Sequence, residues 1–367
     1  MNQIQKFGFF GLGLIGGSLA KALKRSMPEC SIAVFTRTRE KAEQARRDGI
    51  ADTVCSSLSD PAFSQCDIIF LCAPVDANIE ALQILKDLVP SSCILTDVGS
   101  VKTDIHLAAA QMGLGGRFIG GHPMTGSEKS GYQYAVPHLF ENSYYIITPS
   151  EGTSQKQLEA YQELVRMIGA LPLLLDYRKH DFATAAVSHL PHLIAASLVN
   201  TVHTLDGTDQ LMKMIAAGGF KDITRIASSS PEMWEQICLE NRENISKVMD
   251  TFISLLEESR TAMQTDNGEE INAMFRESRD YRNTFTSSPY GFINKTYRIF
   301  CDILDESGAI ATIATILAVN RINIKNIGII HSREFEEGVL QIDFYEEEPF
   351  RKAVQVLEHH RYQVWIR

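Results

Sequence analysis

The chain has 367 residues, of which 44% are hydrophobic and 22% charged, and this composition is typical of a globular protein with two or three domains. Its net charge of −10 argues against nucleic acid as the main partner, because phosphate binding needs concentrated positive charge. No apolar run reaches the roughly 18–20 residues of a membrane span, and no export signal precedes the first strand. The 7 cysteines form no CxxC pair. We expect a cytoplasmic protein with no membrane partner, no zinc knuckle and no disulfide framework.

The first 149 residues alternate short apolar strands with helical segments. The predicted strands are Lys6–Phe10, Ser31–Thr36, Asp67–Ala73, Cys93–Asp97, Arg117–Gly120 and Ser143–Thr148. Most of them are continuous apolar runs, which is typical of strands buried on both faces of a parallel sheet. The alternation therefore predicts a doubly wound α/β domain of the Rossmann type over residues 1–149.

A glycine-rich turn of sequence GLGLIG follows the first predicted strand and leads into a helix. In this context Gly11 allows the tight turn, Gly13 lets the backbone approach a pyrophosphate, and Gly16 lets helix and strand pack closely. The helix that starts at Leu14 and Ile15 offers free amides to the phosphates. The turn therefore predicts a bound dinucleotide.

The end of the second strand bears on which dinucleotide binds. NAD enzymes usually carry an acidic residue roughly 20 residues beyond the motif, where it binds the ribose hydroxyls. This chain has Thr36-Arg37-Thr38-Arg39 there instead. Because Arg37 or Arg39 could pair with a 2′-phosphate, the pattern favours NADP. The alternative is that both arginines are solvated and NAD binds without the acidic contact.

From residue 150 to about 290 the sequence is almost wholly helical. The predicted elements are a helix Glu151–Ile168, a short strand Leu171–Leu175, a helix Lys179–Leu205 interrupted by Pro191, a helix from Pro231 to Gln264, and a helix Glu269–Tyr281. Long helices with broad apolar stripes often bury those faces against a second copy. We expect an all-helical domain over residues 150–290 that forms a homodimer.

The segment 296–367 returns to mixed structure. Its predicted elements are strand Tyr297–Leu304, helix Ala309–Asn320, strand Ile322–His331, strand Gly338–Tyr345, helix Pro349–His360 and strand Tyr362–Ile366. This β-α-β-β-α-β order predicts a small module of the ferredoxin-like class.

Several polar motifs carry the chemistry. They are Thr96–Lys102 (TDVGSVK), Gly120–Gly126 (GGHPMTG), Ser188–His192 (SHLPH), Gly219–Ala227 (GFKDITRIA) and Pro231–Trp234 (PEMW). Ligands of open α/β sheets bind beyond the carboxyl ends of the strands, so Ser100 and His122 are expected to meet a nicotinamide ring. Together with the glycine-rich turn, these segments closely resemble the prephenate dehydrogenase family of tyrosine biosynthesis. The last module resembles an ACT domain, which senses amino acids in some members.

The resemblance implies oxidative decarboxylation of prephenate to 4-hydroxyphenylpyruvate with hydride transfer to NAD(P)+. It makes His122 the base for the ring hydroxyl, a role that suits a histidine near neutral pH. Ser100 would hydrogen-bond to the hydroxyl or to His122. Arg225 would grip a carboxylate in bidentate fashion, and His192 would hydrogen-bond near the same end.

Three further residues are expected at the mouth or wall of the pocket. By resemblance, Glu128 and Lys221 form a gating or neighbouring-subunit pair, and Trp234 walls the pocket. Trp234 could equally lie in the core, and Lys221 could be a solvated charge. His189 and His192 are three residues apart on a helix, but no third ligand suggests a metal. We expect no metal site, with His189 packed in the helix and Pro191 kinking it.

Within the ACT-like module, the resemblance places an effector between the segment 305–309 and the segment 322–324. Its contacts would be Gly308, Ala309, Asn323 and Ile324, and its natural identity is tyrosine. Phenylalanine, or no ligand at all, are the alternatives.

Three rival functions stay open at this point. Arogenate dehydrogenase shares the fold and the chemistry. A β-hydroxyacid dehydrogenase of the 6-phosphogluconate type is suggested by the Thr-Arg-Thr segment and the helical domain. Such enzymes use a catalytic lysine in the helical domain, and the His-Pro turn of this chain argues against that reading. A non-enzymatic sensor of dinucleotide and amino acid belongs to another class, and the combination of Ser100, His122 and Arg225 argues against it.

Overall fold

The computed structural model describes residues 4–126, 129–285, 297–303, 307–330 and 338–366. The chain forms two compact units, Met1–Glu258 and Ser259–Arg367. The first unit contains both the expected nucleotide-binding fold and most of the helical region. Glu128, the expected partner of Lys221, lies outside the described residues, as do Asp305, Glu306 and His331.

A five-stranded sheet begins the first unit. Its strands are β1 (Lys6–Phe10), β2 (Ser31–Phe35), β3 (Thr53–Val54), β4 (Ile68–Leu71) and β5 (Ile94–Asp97). All neighbours are parallel, in the order β3-β2-β1-β4-β5. The connecting helices are α1 (Leu14–Ser26), α2 (Arg39–Arg47), α3 (Val75–Leu88) and α4 (Thr103–Gln111). This is the doubly wound arrangement that the alternating pattern predicts.

The core of this sheet explains why its strands read as apolar runs. The rings of Phe9 on β1 and Phe70 on β4 stack with centroids 5.0 Å apart. Phe7, Phe9 and Ile32 are fully buried. Such strands have no solvent-facing side and so carry no alternation of polar residues.

The parallel arrangement does not extend through the second half of the domain. Strands β6 (Ile119–Pro123), β7 (Tyr144–Pro149) and β8 (Leu171–Leu174) form a separate sheet, with α5 (Gln155–Met167) between β7 and β8. Strand β7 runs antiparallel to β6 and parallel to β8. A single parallel bridge, Leu95 to Phe118, links the two sheets.

Two boundaries differ from the expected ones as a result. Because β8 pairs with β7, the sheet structure of the first domain continues past residue 149 to Leu174. Strand β6 also extends past the expected Gly120, so His122 lies within the strand, opposite Ile146 of β7, rather than after it. The two glycines before His122 gave no apolar signal by which to extend the strand.

The helical region of the first unit is interrupted twice near the site. Its helices are α6 (Tyr177–Thr184), α7 (Leu190–Leu205), α8 (Leu211–Ile215), α9 (Gly218–Thr224), α10 (Pro231–Glu240) and α11 (Arg242–Gln264). Residues Ala185–His189 form a π-helical turn, directly before Pro191 in the first turn of α7. The predicted interruption at Pro191 is present because proline has no N–H to continue the α-helical ladder.

The expected unbroken helix from Pro231 to Gln264 is wrong. It breaks at Asn241, which has φ −109° and ψ 20°. The side chain of Asn241 is buried and hydrogen-bonded to residues of α6 and of the π-helical turn. These tertiary contacts override a sequence pattern that reads as helix on both sides.

One helical stretch, Tyr177–Leu205, is long and apolar enough to cross a membrane by length and composition alone, with a mean hydropathy of 1.4. The sequence analysis did not expect such a run. The stretch carries His180, Asp181 and His189, all buried, and His180 contacts the first domain. We therefore assign it as the central helix of the helical region.

The second unit begins within α11 and continues with α12 (Gly268–Thr284) and a small α/β module. The module contains β9 (Tyr297–Ile303), α13 (Ala309–Val319), β10 (Asn326–Ile330), β11 (Gly338–Phe344), α14 (Glu347–His359) and β12 (Val364–Ile366). Its strands pair antiparallel in the order β10-β11-β9-β12. This confirms the ferredoxin-like topology.

The second strand of this module starts later than expected. Residues Asn323 and Ile324 precede β10 instead of lying on it. The chain first leaves α13 through Arg321, whose φ of +56° is left-handed, and the amide of Ile322 donates to the carbonyl of Leu317. This is the Schellman pattern of a helix end, and it postpones the strand.

Candidate active site

The turn between β1 and α1 has the shape of a dinucleotide cradle. Gly11 has a φ of +89°, and a Cβ there would lie 2.9 Å from the carbonyl group of Cys72. A Cβ at Gly16 would lie 2.7 Å from the carbonyl oxygen of Gly11, whereas one at Gly13 would meet no described atom within 4 Å. Gly11 and Gly16 therefore serve turn and packing, and Gly13 faces the space that a pyrophosphate needs.

The N-terminus of α1 is able to bind an anion. Gly13 is its N-cap residue and has no side chain to bind the first amides, which belong to Leu14 and Ile15. Uncapped amides and the positive end of the helix dipole together attract phosphate groups. The residues present therefore fit an NAD(P) dinucleotide.

The two arginines after β2 differ in their surroundings. The guanidinium of Arg39 lies 3.3 Å from the carboxylate of Glu43, one helical turn on, and both are at the surface. Arg37 is exposed and forms no ion pair with any described residue. The end of β2 adjoins the cradle, because the amide of Gly11 donates to the carbonyl of Phe35. The two arginines therefore differ in that Arg39 is ion-paired and Arg37 is not paired with any described residue.

His122 lies at the head of a buried hydrogen-bond relay. Its Nδ1 is 2.8 Å from Nε2 of His180, and Nδ1 of His180 is 2.8 Å from Oδ1 of Asp181. His180 and Asp181 are fully buried, and His122 is 9% exposed. The relay joins a strand of the nucleotide-binding domain to a helix of the helical region.

The carboxylate of Asp181 also caps α4. It accepts hydrogen bonds from the amides of Lys102 and Thr103, each at 2.8 Å, and from the Thr103 hydroxyl at 2.5 Å. Burial alone would raise the pKa of the Asp181 carboxyl, but the hydrogen bonds from His180 and Thr103 outweigh it and lower this pKa. Asp181 is therefore ionised at neutral pH.

An ionised Asp181 fixes the protons of both histidines. Since a carboxylate only accepts, His180 must donate from Nδ1 and hold a lone pair on Nε2. His122 must then donate from Nδ1, which leaves its own Nε2 as a free lone pair. Burial, His180 and Lys102 all lower the pKa of His122 well below its usual range, so the imidazole is neutral and able to accept a proton.

A second buried cluster connects the loop that carries Ser100 to the strand that carries His122. The ammonium of Lys102 pairs with the carboxylate of Asp97, and both side chains are fully buried. Asp97 also accepts from the amide of Gly99 at 2.9 Å and from that of Gly121 at 3.4 Å. A single carboxylate thus holds the residue before Ser100 and the residue before His122.

Ser100 lies in this loop between β5 and α4 and is partly exposed. Within the described residues its hydroxyl makes no hydrogen bond. Of the two partners expected for Ser100, His122 is hydrogen-bonded to His180 and not to Ser100, and the hydroxyl of a substrate stays a prediction. This leaves the serine hydroxyl free for a bound substrate.

A second group gathers around Trp234 on α10. His192 stacks on the indole with ring centroids 3.8 Å apart, and His189 meets it edge-on at 6.0 Å. Burial lowers the pKa of His192, and the nearby charge of Arg225 adds to this effect. Trp234 therefore packs against both histidines, and Arg225 lies near His192. The roles of these residues in a substrate pocket stay predictions.

Lys221 and Glu128 are the two residues expected at the mouth of the pocket. Lys221 is exposed on the short helix α9. Glu128 lies outside the described residues, so their pairing stays a prediction. Among the residues described, no group of three or more His, Cys, Asp or Glu side chains is arranged to hold a metal ion.

Sequence reasoning missed the partners that act on His122. These are His180, Lys102 and, acting through His180, Asp181, all of them buried. The sequence contained part of the information needed to identify these partners. His180 and Asp181 are adjacent ionisable residues at the start of the long apolar helical stretch Tyr177–Leu205, and such groups are rarely buried without a specific partner.

A dinucleotide cradle together with a buried histidine relay is the arrangement of a nicotinamide-dependent dehydrogenase. Residues 19–173 match the family model described as prephenate dehydrogenase, nucleotide-binding domain, and residues 176–277 match prephenate dehydrogenase, dimerization domain. The chain belongs to the prephenate dehydrogenase family.

Individual relatives agree with this membership. The chain is 37% identical to a prephenate dehydrogenase of Bacillus subtilis over 95% of its own length and 94% of that protein's. The solved prephenate dehydrogenase of A. aeolicus, in complex with hydroxyphenyl propionate and NAD+, is 33% identical with a TM-score of 0.72. That comparison covers 77% of this chain and 98% of that one. A Synechocystis arogenate dehydrogenase is 30% identical with a TM-score of 0.68, covering 77% of this chain and all of the other.

Proposed function

We propose that this protein oxidises prephenate to 4-hydroxyphenylpyruvate and CO2 with NAD(P)+ as the hydride acceptor, a step of tyrosine biosynthesis. The observation that carries the proposal is the relay His122–His180–Asp181, whose geometry leaves Nε2 of His122 as a neutral proton acceptor. Full-length relatives named prephenate dehydrogenase support the choice of substrate.

The base acts on the hydroxyl of the cyclohexadiene ring. Nε2 of His122 takes the hydroxyl proton while the ring carbon gives up its hydride, and the C–O bond becomes a carbonyl. The imidazolium that forms donates from Nδ1 to His180, which is oriented by the Asp181 carboxylate. Ser100, whose hydroxyl is free, hydrogen-bonds to the same substrate oxygen and sets its direction.

Loss of CO2 completes the reaction. The electrons of the bond to the ring carboxylate move into the ring, and together with enolisation of the new carbonyl they make it aromatic. Gly13 and the first amides of α1 would hold the dinucleotide, which would supply the hydride acceptor. The overall balance is prephenate plus NAD(P)+ giving 4-hydroxyphenylpyruvate, CO2 and NAD(P)H.

The far end of the pocket holds the side-chain carboxylate. Arg225 offers a planar guanidinium for a bidentate contact, and its effect on the pKa of His192 means that the two lie close together. His192 donates from Nδ1 to the Ser188 carbonyl at 2.9 Å, so its Nε2 faces away from the helix. Lys221 and Glu128 would close the mouth of this pocket, alone or from a neighbouring subunit.

A steady-state assay with prephenate and arogenate, each with NAD+ and NADP+, tests the proposal. Reduction of the dinucleotide with prephenate, together with CO2 release, is the expected result. Turnover of arogenate alone would reassign the protein to the related activity, which the Synechocystis structure makes the leading alternative. Dinucleotide binding without turnover of either would favour the sensor.

For the dinucleotide, we propose a preference for NADP that depends on Arg37. The support is that the β2 end has no acidic residue and that Arg37, unlike Arg39, is not held by Glu43. The variant Arg37→Ser should lower kcat/KM for NADP+ and leave NAD+ little changed. The matched variant Arg39→Ser should affect neither. A wild-type enzyme that favours NAD+ would contradict the proposal.

For the C-terminal module, we propose an ACT domain that binds tyrosine and mediates feedback inhibition. Gly308, at φ +95°, caps α13 with open space around it, so the amides that follow at Ala309 are accessible to a carboxylate. Asn323 is exposed on the segment before β10, next to the half-buried Ile324. The variant Asn323→Ala should weaken inhibition by tyrosine without changing the uninhibited rate, and phenylalanine serves as the comparison ligand.

We also propose a cytoplasmic homodimer formed through the helical region. Large apolar side chains stand out from it, among them Val187, Met214 and Ile223, which are 69%, 74% and 60% exposed. Large apolar side chains that are exposed to this extent on one region usually mark an interface between subunits. A monomeric mass by sedimentation equilibrium would contradict the proposal.

A further inference from the structure

A buried asparagine at the break between α10 and α11 contacts both halves of the site, and the mechanism above does not use it. Nδ2 of Asn241 donates to the backbone carbonyl of Asp181 at 2.7 Å and lies 3.1 Å from Nδ1 of His189. Oδ1 of Asn241 accepts from Nδ2 of Asn244 at 2.8 Å. Asn241 is 3% exposed and His189 is 1% exposed.

These contacts fix which way the amide of Asn241 faces. A carbonyl oxygen only accepts, so the Asp181 carbonyl requires the amide nitrogen on its side. The contact from Asn244 requires the amide oxygen on the other side. The group that faces His189 is therefore an N–H donor, and Nδ1 of the neutral imidazole must hold a lone pair. The ring proton of His189 consequently lies on Nε2.

The Nε2–H of His189 then has a distinctive position. It is buried and has no hydrogen-bond partner among the described residues. His189 interacts electrostatically with His122, His180 and His192. The donor therefore belongs to the same cluster of histidines as the base. A buried N–H without a partner is unfavourable unless a ligand or water satisfies it.

We propose that Asn241 is a positioning residue that holds His189 as an Nε2–H hydrogen-bond donor to an oxygen atom of the bound substrate. Asp181 imposes the opposite arrangement on His122, whose Nε2 is an acceptor. Two histidines of one pocket thus present one acceptor and one donor. The identity of the substrate in this inference rests on the proposed function, whereas the protonation pattern of His189 does not.

The protonation pattern is tested directly by nitrogen NMR of the full-length protein labelled with 15N-histidine. The signals of His189 are those that disappear in His189→Gln. In the wild type, Nε2 should be of the protonated type and Nδ1 of the unprotonated type. In Asn241→Asp, where a carboxylate replaces the donor, Nδ1 should become protonated. A wild-type His189 with its proton on Nδ1 would overturn the inference.

Kinetics test the functional part. Asn241→Asp should lower kcat/KM for prephenate about 10- to 100-fold, which corresponds to one lost hydrogen bond to a substrate oxygen. The KM for the dinucleotide should stay the same, and the defect should grow at alkaline pH as the neutral Nδ1–H form predominates. The matched change Asn272→Asp on α12, where the residue accepts from Arg276 and any carboxylate would too, should have no effect.

Two variants of His189 keep the inference falsifiable even where Asn241→Asp does not fold. Gln can still donate an N–H and should retain most activity, whereas Leu cannot and should show the full loss. Equal activity of the two would overturn the inference. In the His189→Gln background, Asn241→Asp should cause little further loss, because the two act as one unit. Absence of prephenate turnover in the wild type would instead contradict the proposed function and leave the NMR result standing.

Discussion

Removal of the middle residue of the relay is the most informative perturbation of the catalytic site. In His180→Leu, the Asp181 carboxylate keeps its bonds to Lys102 and Thr103, so α4 remains capped. His122, however, loses the acceptor that lies 2.8 Å from its Nδ1. Its proton is then free to move to Nε2, where it blocks the base, and the imidazolium formed during the reaction loses its stabilising partner.

The size of the effect follows from that one contact. A hydrogen bond from a charged imidazolium contributes about 1.5–3 kcal/mol. At about 1.36 kcal/mol for each factor of ten, kcat should fall about 10- to 160-fold at saturating substrate. The measurement is dinucleotide reduction under single-turnover conditions, with thermal unfolding as a check on the fold. His180→Gln, whose side-chain oxygen can still accept from His122, is the matched control and should lose less.

The reasoning would be refuted by a His180→Leu enzyme that is folded and turns over within about threefold of the wild type. It would also be refuted if the Gln and Leu variants lost activity equally. Either result would mean that the base does not depend on a fixed tautomer.

Three other expectations concern the cradle, the substrate clamp and a buried carboxyl. Gly11→Ala should lower the unfolding temperature, because its Cβ meets the Cys72 carbonyl at a φ of +89°, whereas Gly13→Ala should fold normally and weaken only dinucleotide binding, as seen by calorimetry. Arg225→Ala should raise KM for prephenate by an amount equivalent to about 2–5 kcal/mol while leaving kcat less affected; an unchanged KM would remove it from the clamp. Burial, with Asp76 and Asp104 nearby, raises the pKa of Glu240 to about 7. A raised carboxyl pKa disfavours the folded state as pH rises through that value, so Glu240→Gln should raise the unfolding temperature at pH 8 and have little effect at pH 5.

The sequence predicted the fold where periodicity and glycines determine it. The strand before Gly11, the alternation up to β5 and the β-α-β-β-α-β order each follow from local pattern, and the structure contains them. The antiparallel pairing of β7 with β6 could not be foreseen, because an apolar run does not show the direction of its neighbour. The extension of β6 to His122 was hidden as well, since its two preceding glycines carry no strand signal. The break at Asn241 was equally hidden, since it depends on contacts with Asp181 and His189 some 50–60 positions away in the chain.

The candidate site shows the same division. Motifs pointed to His122, His192 and Arg225 because those residue types suit proton transfer and carboxylate binding. The residues that set their protonation, His180 and Asp181, belong to no motif and are recognised only by their distances. Sequence reveals which groups can react, whereas the buried partners that tune them emerge from tertiary packing.

The double use of Asp181 has a consequence for how such enzymes can be recombined. By position in the chain it belongs to the helical region, yet it caps a helix of the nucleotide-binding domain and orients the base that lies there. A chimera joined between residues 174 and 177 would separate Asp181 from Lys102 and Thr103 of its own parent. The hybrid should fold and turn over only if the Asp181 carboxylate from one parent accepts hydrogen bonds from the amides at positions 102 and 103 of the other parent. A successful exchange therefore needs both sides of this contact to be matched.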